Sequence, residues 1–210
     1  MNSPLAALLH GVAAGQYPPP DGSVTILPQP SARDAGVIAF TAHSVIFTDA
    51  DPAWVRGQLP PGDLAGPLLP PFLQALSAMT GRRVNNIDLL LVTTPRSGQP
   101  PLTLSPALAA RHPRVARALR CRDDVRVWQT PGGIVALGRG VAGRWEIALE
   151  VEPGYRGKGL GRELAVAARH LVPGGAPLWA QIAPGNAASV RAFLAAGYQP
   201  VGAEALLPLA

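Results

Sequence analysis

The feature that most constrains the fold is a change of hydrophobic period across a glycine-rich turn, in WEIALEVEPGYRGKGLGRELAVAARHL from Trp145 to Leu171. Ile147, Leu149 and Val151 alternate with Glu146, Ala148, Glu150 and Glu152, the period of a strand whose two faces meet different environments. Pro153-Gly154 stops that strand, because proline has no N–H to give and glycine frees φ. From Leu160 the period lengthens. Leu160, Leu164, Ala167, Ala168 and Leu171 share one side of a helix, while Arg162, Glu163, Val166, Arg169 and His170 lie largely on another. The stretch reads as strand, glycine turn, helix.

Between strand and helix lies Arg156-Gly157-Lys158-Gly159-Leu160-Gly161. Glycines at 157, 159 and 161 let the backbone curl so that several N–H groups converge where the helix begins. Those amides and the positive end of the helix dipole form an anion site, to which Arg156 and Lys158 add charge. A phosphate or pyrophosphate is the natural ligand; the plainer alternative is a flexible turn capping a surface helix. Other phosphate loops fit poorly. The Walker pattern needs Ser or Thr after Gly-Lys, where Gly159 stands, and the dinucleotide fingerprint would need its third glycine at Leu164. Downstream, NAASVRAFLAAGY from Asn186 to Tyr198 offers an N-cap, a helix packing through Val190, Phe193 and Leu194, and Gly197 as its C-cap.

On these two elements the chain resembles the GNAT superfamily of acyl-CoA-dependent N-acyltransferases, over residues 105 to 207. The family signature Arg/Gln-x-x-Gly-x-Gly/Ala, after a strand and at the head of a helix, is matched by Arg156, Gly159 and Gly161. The family's Asn after the next strand, followed by a short helix ending in Gly and an aromatic residue, is matched from Asn186 to Tyr198. The resemblance implies an α/β fold with a mixed central sheet, in which parallel strands 145–151 and 178–183 splay apart and acyl-CoA lies in the gap. It implies acetyl-CoA, or another short-chain acyl-CoA, as co-substrate, and direct transfer of the acyl group to a primary amine. By the same resemblance the backbone from Leu149 to Val151 pairs with the pantetheine, and the Val151 N–H faces the thioester oxygen. Arg156, Gly157, Lys158, Gly159, Leu160, Gly161 and Arg162 would cradle the pyrophosphate, and Asn186 and Ser189 would contact the pantetheine.

One departure bears on mechanism. Many family members carry a tyrosine seven residues after this Asn as general acid for the departing thiolate, but here the position is Phe193. Tyr198 falls where the family has a core aromatic. For the base, Glu150 and then Glu146 share a strand face and could reach the amine directly or through water, with Glu152 at the strand's end; the plain reading of each is a solvent-facing carboxylate. A non-catalytic acyl-CoA-binding or regulatory module is the alternative function. A carboxylate-lined acceptor side favours a cationic amine, whereas the arginines near Arg117, turned inward, would suit an acidic one.

The 210 residues fit one large domain or two small ones and are 48% hydrophobic, with no apolar run of membrane-spanning length. The N-terminal MNSPLAALLHGVAAG has no basic region ahead of its apolar segment, so no secretory signal is expected. A single cysteine, Cys121, excludes an intrachain disulfide, and four scattered histidines suggest no metal site. A cytoplasmic protein without membrane partners is expected, as monomer or homodimer. Residues 1–110 carry five Arg against six Asp, a net of −1, and residues 111–210 carry 13 basic against seven acidic groups, a net of +6. With aromatics at 5% and no recognition helix, a polyphosphate cofactor explains that excess better than nucleic acid.

Along the chain, a helix is expected over Leu5–Ala14, loop around Pro18–Gly22, and a strand or hairpin over Val37–Phe47. Helices follow from Asp51-Pro52 to Leu59 and over Leu69–Met79, then a strand over Ile87–Thr93. Pro95–Pro101 is the expected junction. It divides residues 1–100, an α/β region serving as lid, degenerate half-repeat or acceptor-side arm, from the acyltransferase domain at 101–210. The acceptor pocket is expected to draw on both. His43 offers a base, though packing is its plainer role. Ser105-Pro106 reads as a helix cap, and a second helix near His112–Cys121 carries Arg114, Arg117 and Arg120 on one side, with Cys121 packed. Strands at 125–130, 134–138 and 145–151 form an antiparallel meander. Strand 178–183, helix 187–196 and a last strand or pair over 201–207 complete the chain.

Overall fold

The computed structural model describes residues 3–209. It is a mixed α/β structure in two compact units: the described residues up to Leu90 together with those from Val201, and Leu91–Pro200. This division differs from the expected 1–100 and 101–210, because the last strand pairs with strands near the chain's start and β4 crosses the division.

The first unit contains α1 (Pro4–Ala13), β1 (Val24–Leu27), β2 (Gly36–Phe40), β3 (His43–Phe47), α2 (Pro52–Gly57), α3 (Pro70–Thr80), the start of β4 (Ile87–Thr93) and most of β10 (Gln199–Leu206). Its strands run in the order β1-β3-β2-β10, with β1 parallel to β3 and the other neighbours antiparallel. Helix starts follow their caps: Ser3 Oγ accepts from Ala6 N at 3.1 Å and Asp51 Oδ1 from Ala53 N at 2.7 Å, each just ahead of a proline. Val37, Ile46, Val55, Phe72, Leu73, Leu76, Ala205 and Leu207 form the core. β1 had no expectation, since its four residues are flanked by proline-rich loop and all half-buried.

His43 takes the packing role. It is buried, with Pro19 O 3.1 Å from Nδ1 and Thr25 Oγ1 2.9 Å from Nε2. A carbonyl only accepts, so Nδ1 carries a hydrogen. Asp21 Oδ1 stands 3.2 Å from Nδ1, and the hydroxyl and backbone N–H of Ser23 hold the Asp21 carboxyl down at about 2.

The second unit contains the end of β4, β5 (Ser105–Pro106), α4 (Pro113–Cys121), β6 (Asp123–Thr130), β7 (Gly133–Arg139), β8 (Trp145–Val151), α5 (Leu160–Ala168), β9 (Leu178–Ile182) and α6 (Ala187–Ala195). The order β9-β8-β7-β6-β5 contains the expected meander, with β9 parallel to β8. Ser105-Pro106 is not a helix cap. It pairs with Gln129 and Trp128 as a two-residue edge strand, a place where proline's missing N–H costs nothing. Helix α4 lies where the second helix was expected, capped by His112, whose Nδ1 accepts from Arg114 N at 3.2 Å, and it buries Val115 and Ala118. Cys121, expected to pack, ends α4 on its exposed side, and Leu194 of α6 is exposed too.

α5 stops at Ala168 rather than Leu171. Arg169 turns inward there, donating to Thr94 O at 3.0 Å and Ala196 O at 2.8 Å, so it caps the end of α6 as well. Among the described residues no helix is long and apolar enough to cross a membrane, and no cluster of His, Cys, Asp and Glu is placed to hold a metal ion.

Candidate functional site

The candidate site is built on β8. Along one edge it pairs with β7 over its whole length, from Trp145↔Arg139 to Val151↔Gly133. Along the other, β9 pairs only at Trp145↔Leu178 and Glu146↔Trp179. From Ile147 onward the two parallel strands have parted. Glu152 N donates to Gly132 O at 2.9 Å, so Glu152, Glu150 and Ala148 turn their peptide groups toward β7. By alternation Ile147, Leu149 and Val151 turn theirs toward the opened edge. Leu149 and Val151 therefore turn their N–H groups into the gap.

β8 leads straight into the glycine loop. Gly157 and Gly159 have φ of 74° and 90°, left-handed values that a side chain would strain. The Gly159 carbonyl accepts from Arg162 N at 2.9 Å and Glu163 N at 3.1 Å, which starts α5. The N–H groups of Leu160 and Gly161 precede the first intrahelical bond and point out of the helix end. No side chain caps this N-terminus, so the end stays open. Arg156 and Lys158 brace the loop, through Nε to Val151 O and Nζ to Gly154 O, both at 3.0 Å, while remaining exposed. Arg162 is exposed on the first turn. At Gly161 an added Cβ would lie 3.7 Å from Val151 Cγ2 and 4.0 Å from Ala192 Cβ, so α5 sits close on both β8 and α6.

Asn186 caps α6, its Oδ1 accepting from Ser189 N at 3.2 Å, and leaves its amide NH2 as a donor in solvent. Phe193 and Tyr198 pack edge-to-face, ring centroids 4.8 Å apart. Both are buried; the Tyr198 hydroxyl donates to Ala165 O at 3.2 Å, and burial pushes it well above the ordinary phenol range. Neither ring offers a transferable proton.

The two candidate bases share a face of β8 but not an environment. Glu146 is buried and saturated with donors. Arg122 Nε reaches Oε2 at 2.9 Å; Arg144 Nε at 2.9 Å, Val141 N at 3.2 Å and Gln181 Nε2 at 3.4 Å all reach Oε1. Burial alone would raise its pKa, but Arg144 and Arg122 outweigh that and hold it below its ordinary value. A carboxylate so committed is a poor proton acceptor. Gly140 is part of the cluster, since any Cβ there would run into the Glu146 carboxylate. Glu150 is only half-buried, and Arg114 of α4 meets it, with Nε 3.4 Å from Oε2.

Sequence reasoning missed Arg122, Arg144, Gln181 and Gly140 as supports of the site. Arg114 was visible in the 114-117-120 stripe, but the stripe does not show which arginine turns toward β8.

No curated protein sequence matches the chain. Among solved structures, a GCN5-related N-acetyltransferase from Kribbella flavida is similar at 20% identity and TM-score 0.42, over 64% of this chain and 62% of its own. A GNAT-family protein from Novosphingobium aromaticivorans is similar at 18% identity and TM-score 0.42, over 60% of this chain and 66% of its own. The chain thus spans less than two thirds of either neighbour. Residues 109–198, which include β8, the glycine loop, α5 and Asn186, match the model of the acetyltransferase (GNAT) family.

Proposed function

We propose that the chain is an N-acyltransferase that moves an acetyl or other short acyl group from its CoA thioester to a primary amine. The observation that carries this reading is the parting of β8 from β9 after Glu146, immediately ahead of an uncapped helix end opened by three glycines. An extended amide-bearing arm fits the first feature and a pyrophosphate the second. The Val151 N–H would stabilise charge growing on the thioester oxygen, the Leu160 and Gly161 amides with Arg156, Lys158 and Arg162 would hold the pyrophosphate, and Asn186 and Ser189 would flank the arm.

Glu150 is the base in this reading. An acceptor ammonium gives one proton to Glu150, directly or through water, and the freed lone pair attacks the thioester carbon. The C–N bond forms, the C–S bond breaks, and the second nitrogen-bound proton reaches the departing sulfur through water, since Phe193 has none to give. Glu146 holds Arg122 and Arg144 in place and takes no proton.

A second reading, an acyl-CoA-binding module without turnover, is favoured by the absence of a phenol at position 193. Titration calorimetry with acetyl-CoA, alongside mass spectrometry of amines incubated with acetyl-CoA, separates the two. Binding with acetylated product supports the enzyme, binding without product supports the module, and no binding defeats both.

A further inference from the structure

Resting on the N-acyltransferase reading, we infer that the acceptor is a zwitterion, an amine with a carboxylate or similar anion a few bonds away, held by Glu150 and Arg114 together. The two glutamates of β8 are each met by an arginine from one stretch of chain. Arg122, just past α4, meets Glu146, and Arg114, in its first turn, meets Glu150. Eight helical residues rise about 12 Å and four strand residues span about 13 Å, so the two pairs stay in step along antiparallel elements. The inner pair is sealed, its side chains 11% and 4% exposed, and it fixes α4 against β8. The outer pair is open, at 43% and 37%, with a contact of 3.4 Å. Arg114 is thus held beside Glu150 by the buried pair, while its own contact remains easy to exchange.

That arrangement discriminates among amines. A simple alkylammonium at Glu150 displaces Arg114 and leaves it without a partner; a simple carboxylate at Arg114 does the same to Glu150. A zwitterion exchanges both at once, ammonium onto Glu150 and anion onto Arg114, so no charge is left unmatched. An ion pair this exposed is worth up to about 1 kcal/mol, so an analogue that leaves one charge unmatched is disfavoured severalfold. The carboxylate also draws its amine to Glu150, which, unlike Glu146, is not enclosed by two arginines.

The test compares α-, β- and γ-amino acids with their own carboxamides, using acetyl-CoA and wild type, R114A and E150Q. Product is read by mass spectrometry, acetyl-CoA affinity by calorimetry and folding by circular dichroism. In wild type, kcat/KM for the best amino acid should exceed that for its carboxamide by about threefold to fivefold. R114A should erase that ratio, chiefly through a raised KM for the acid, while acetyl-CoA affinity is retained; E150Q should lower kcat for acid and amide alike. A wild type that acetylates carboxamides as well as acids, or an R114A protein that keeps the ratio, overturns the proposal and leaves the acyltransferase reading standing. Failure to bind acetyl-CoA, or to acetylate any amine, defeats that reading and this proposal with it.

Discussion

Gln181 donates to Glu146 across the place where β8 and β9 separate, with Nε2 3.4 Å from Oε1, although the last residue of β9 paired with β8 is Trp179. The carboxylate that anchors the start of β8 therefore also holds the first turned-away part of β9. Replacing Glu146 by Gln leaves the buried Arg144 and the partly buried Arg122 guanidinium groups facing a neutral partner. A loss of about 3–5 kcal/mol of stability is expected, read as a lower midpoint in urea. The same group sets an acid limit. Its folded pKa lies below the ordinary 4.5, so its stabilisation is complete above that value and fades as pH falls through the folded one. The E146Q protein should lose this part of the acid dependence; a stability-versus-pH curve unchanged from wild type would contradict the assignment.

The glycine loop should discriminate sharply between neighbouring positions. At Gly161 an Ala Cβ would make ordinary contacts, so G161A should bind acetyl-CoA much as wild type does. At Gly159, with φ of 90°, a branched side chain is incompatible with the backbone, so G159V should weaken binding at least about tenfold. Calorimetry on both folded variants checks this, and equal affinities would remove the loop from the binding site.

Phe193→Tyr tests whether the missing phenol matters. The ring is buried against Tyr198, so a new hydroxyl would be desolvated with no partner in view, at a cost of about 1–3 kcal/mol. The expected outcome is a lower melting temperature without faster turnover. A faster enzyme of unchanged stability would show that the position faces the reacting sulfur.

Tyr198→Phe should remove one neutral hydrogen bond, to Ala165 O, at a cost of about 1 kcal/mol. The buried phenol holds its proton far above neutrality, so the basic limb of the pH–rate profile should not move. A shifted limb would give Tyr198 a part in proton transfer.

Much of the second unit was legible because its signals are local. The alternation at 145–151, the glycines at 157–161 and the cap at Asn186 each act within a few residues, and each lies where its pattern placed it. What was hidden depends on tertiary partners. Glu146 and Glu150 look equivalent by alternation, yet one is sealed by Arg122 and Arg144 and the other is open, a difference created by how α4 lies on the sheet. Ser105-Pro106 carries the chemistry of a helix cap and became an edge strand because β6 offered a partner. β1 is too short to announce itself, and the companionship of β10 with β2 joins residues more than 160 positions apart.

That last pairing has a consequence for vectorial synthesis. All of the second unit but Gln199 and Pro200 is synthesised before β10, so 91–198 can complete its core while β2 still lacks its neighbour. Until then the Gly36–Phe40 edge stands open, an apolar strand of the kind that recruits foreign strands or chaperones. Released chains ending at Tyr198 should be cut by protease within the first 90 residues while 91–198 resists. Early protection of both stretches would mean that β2 finds another cover.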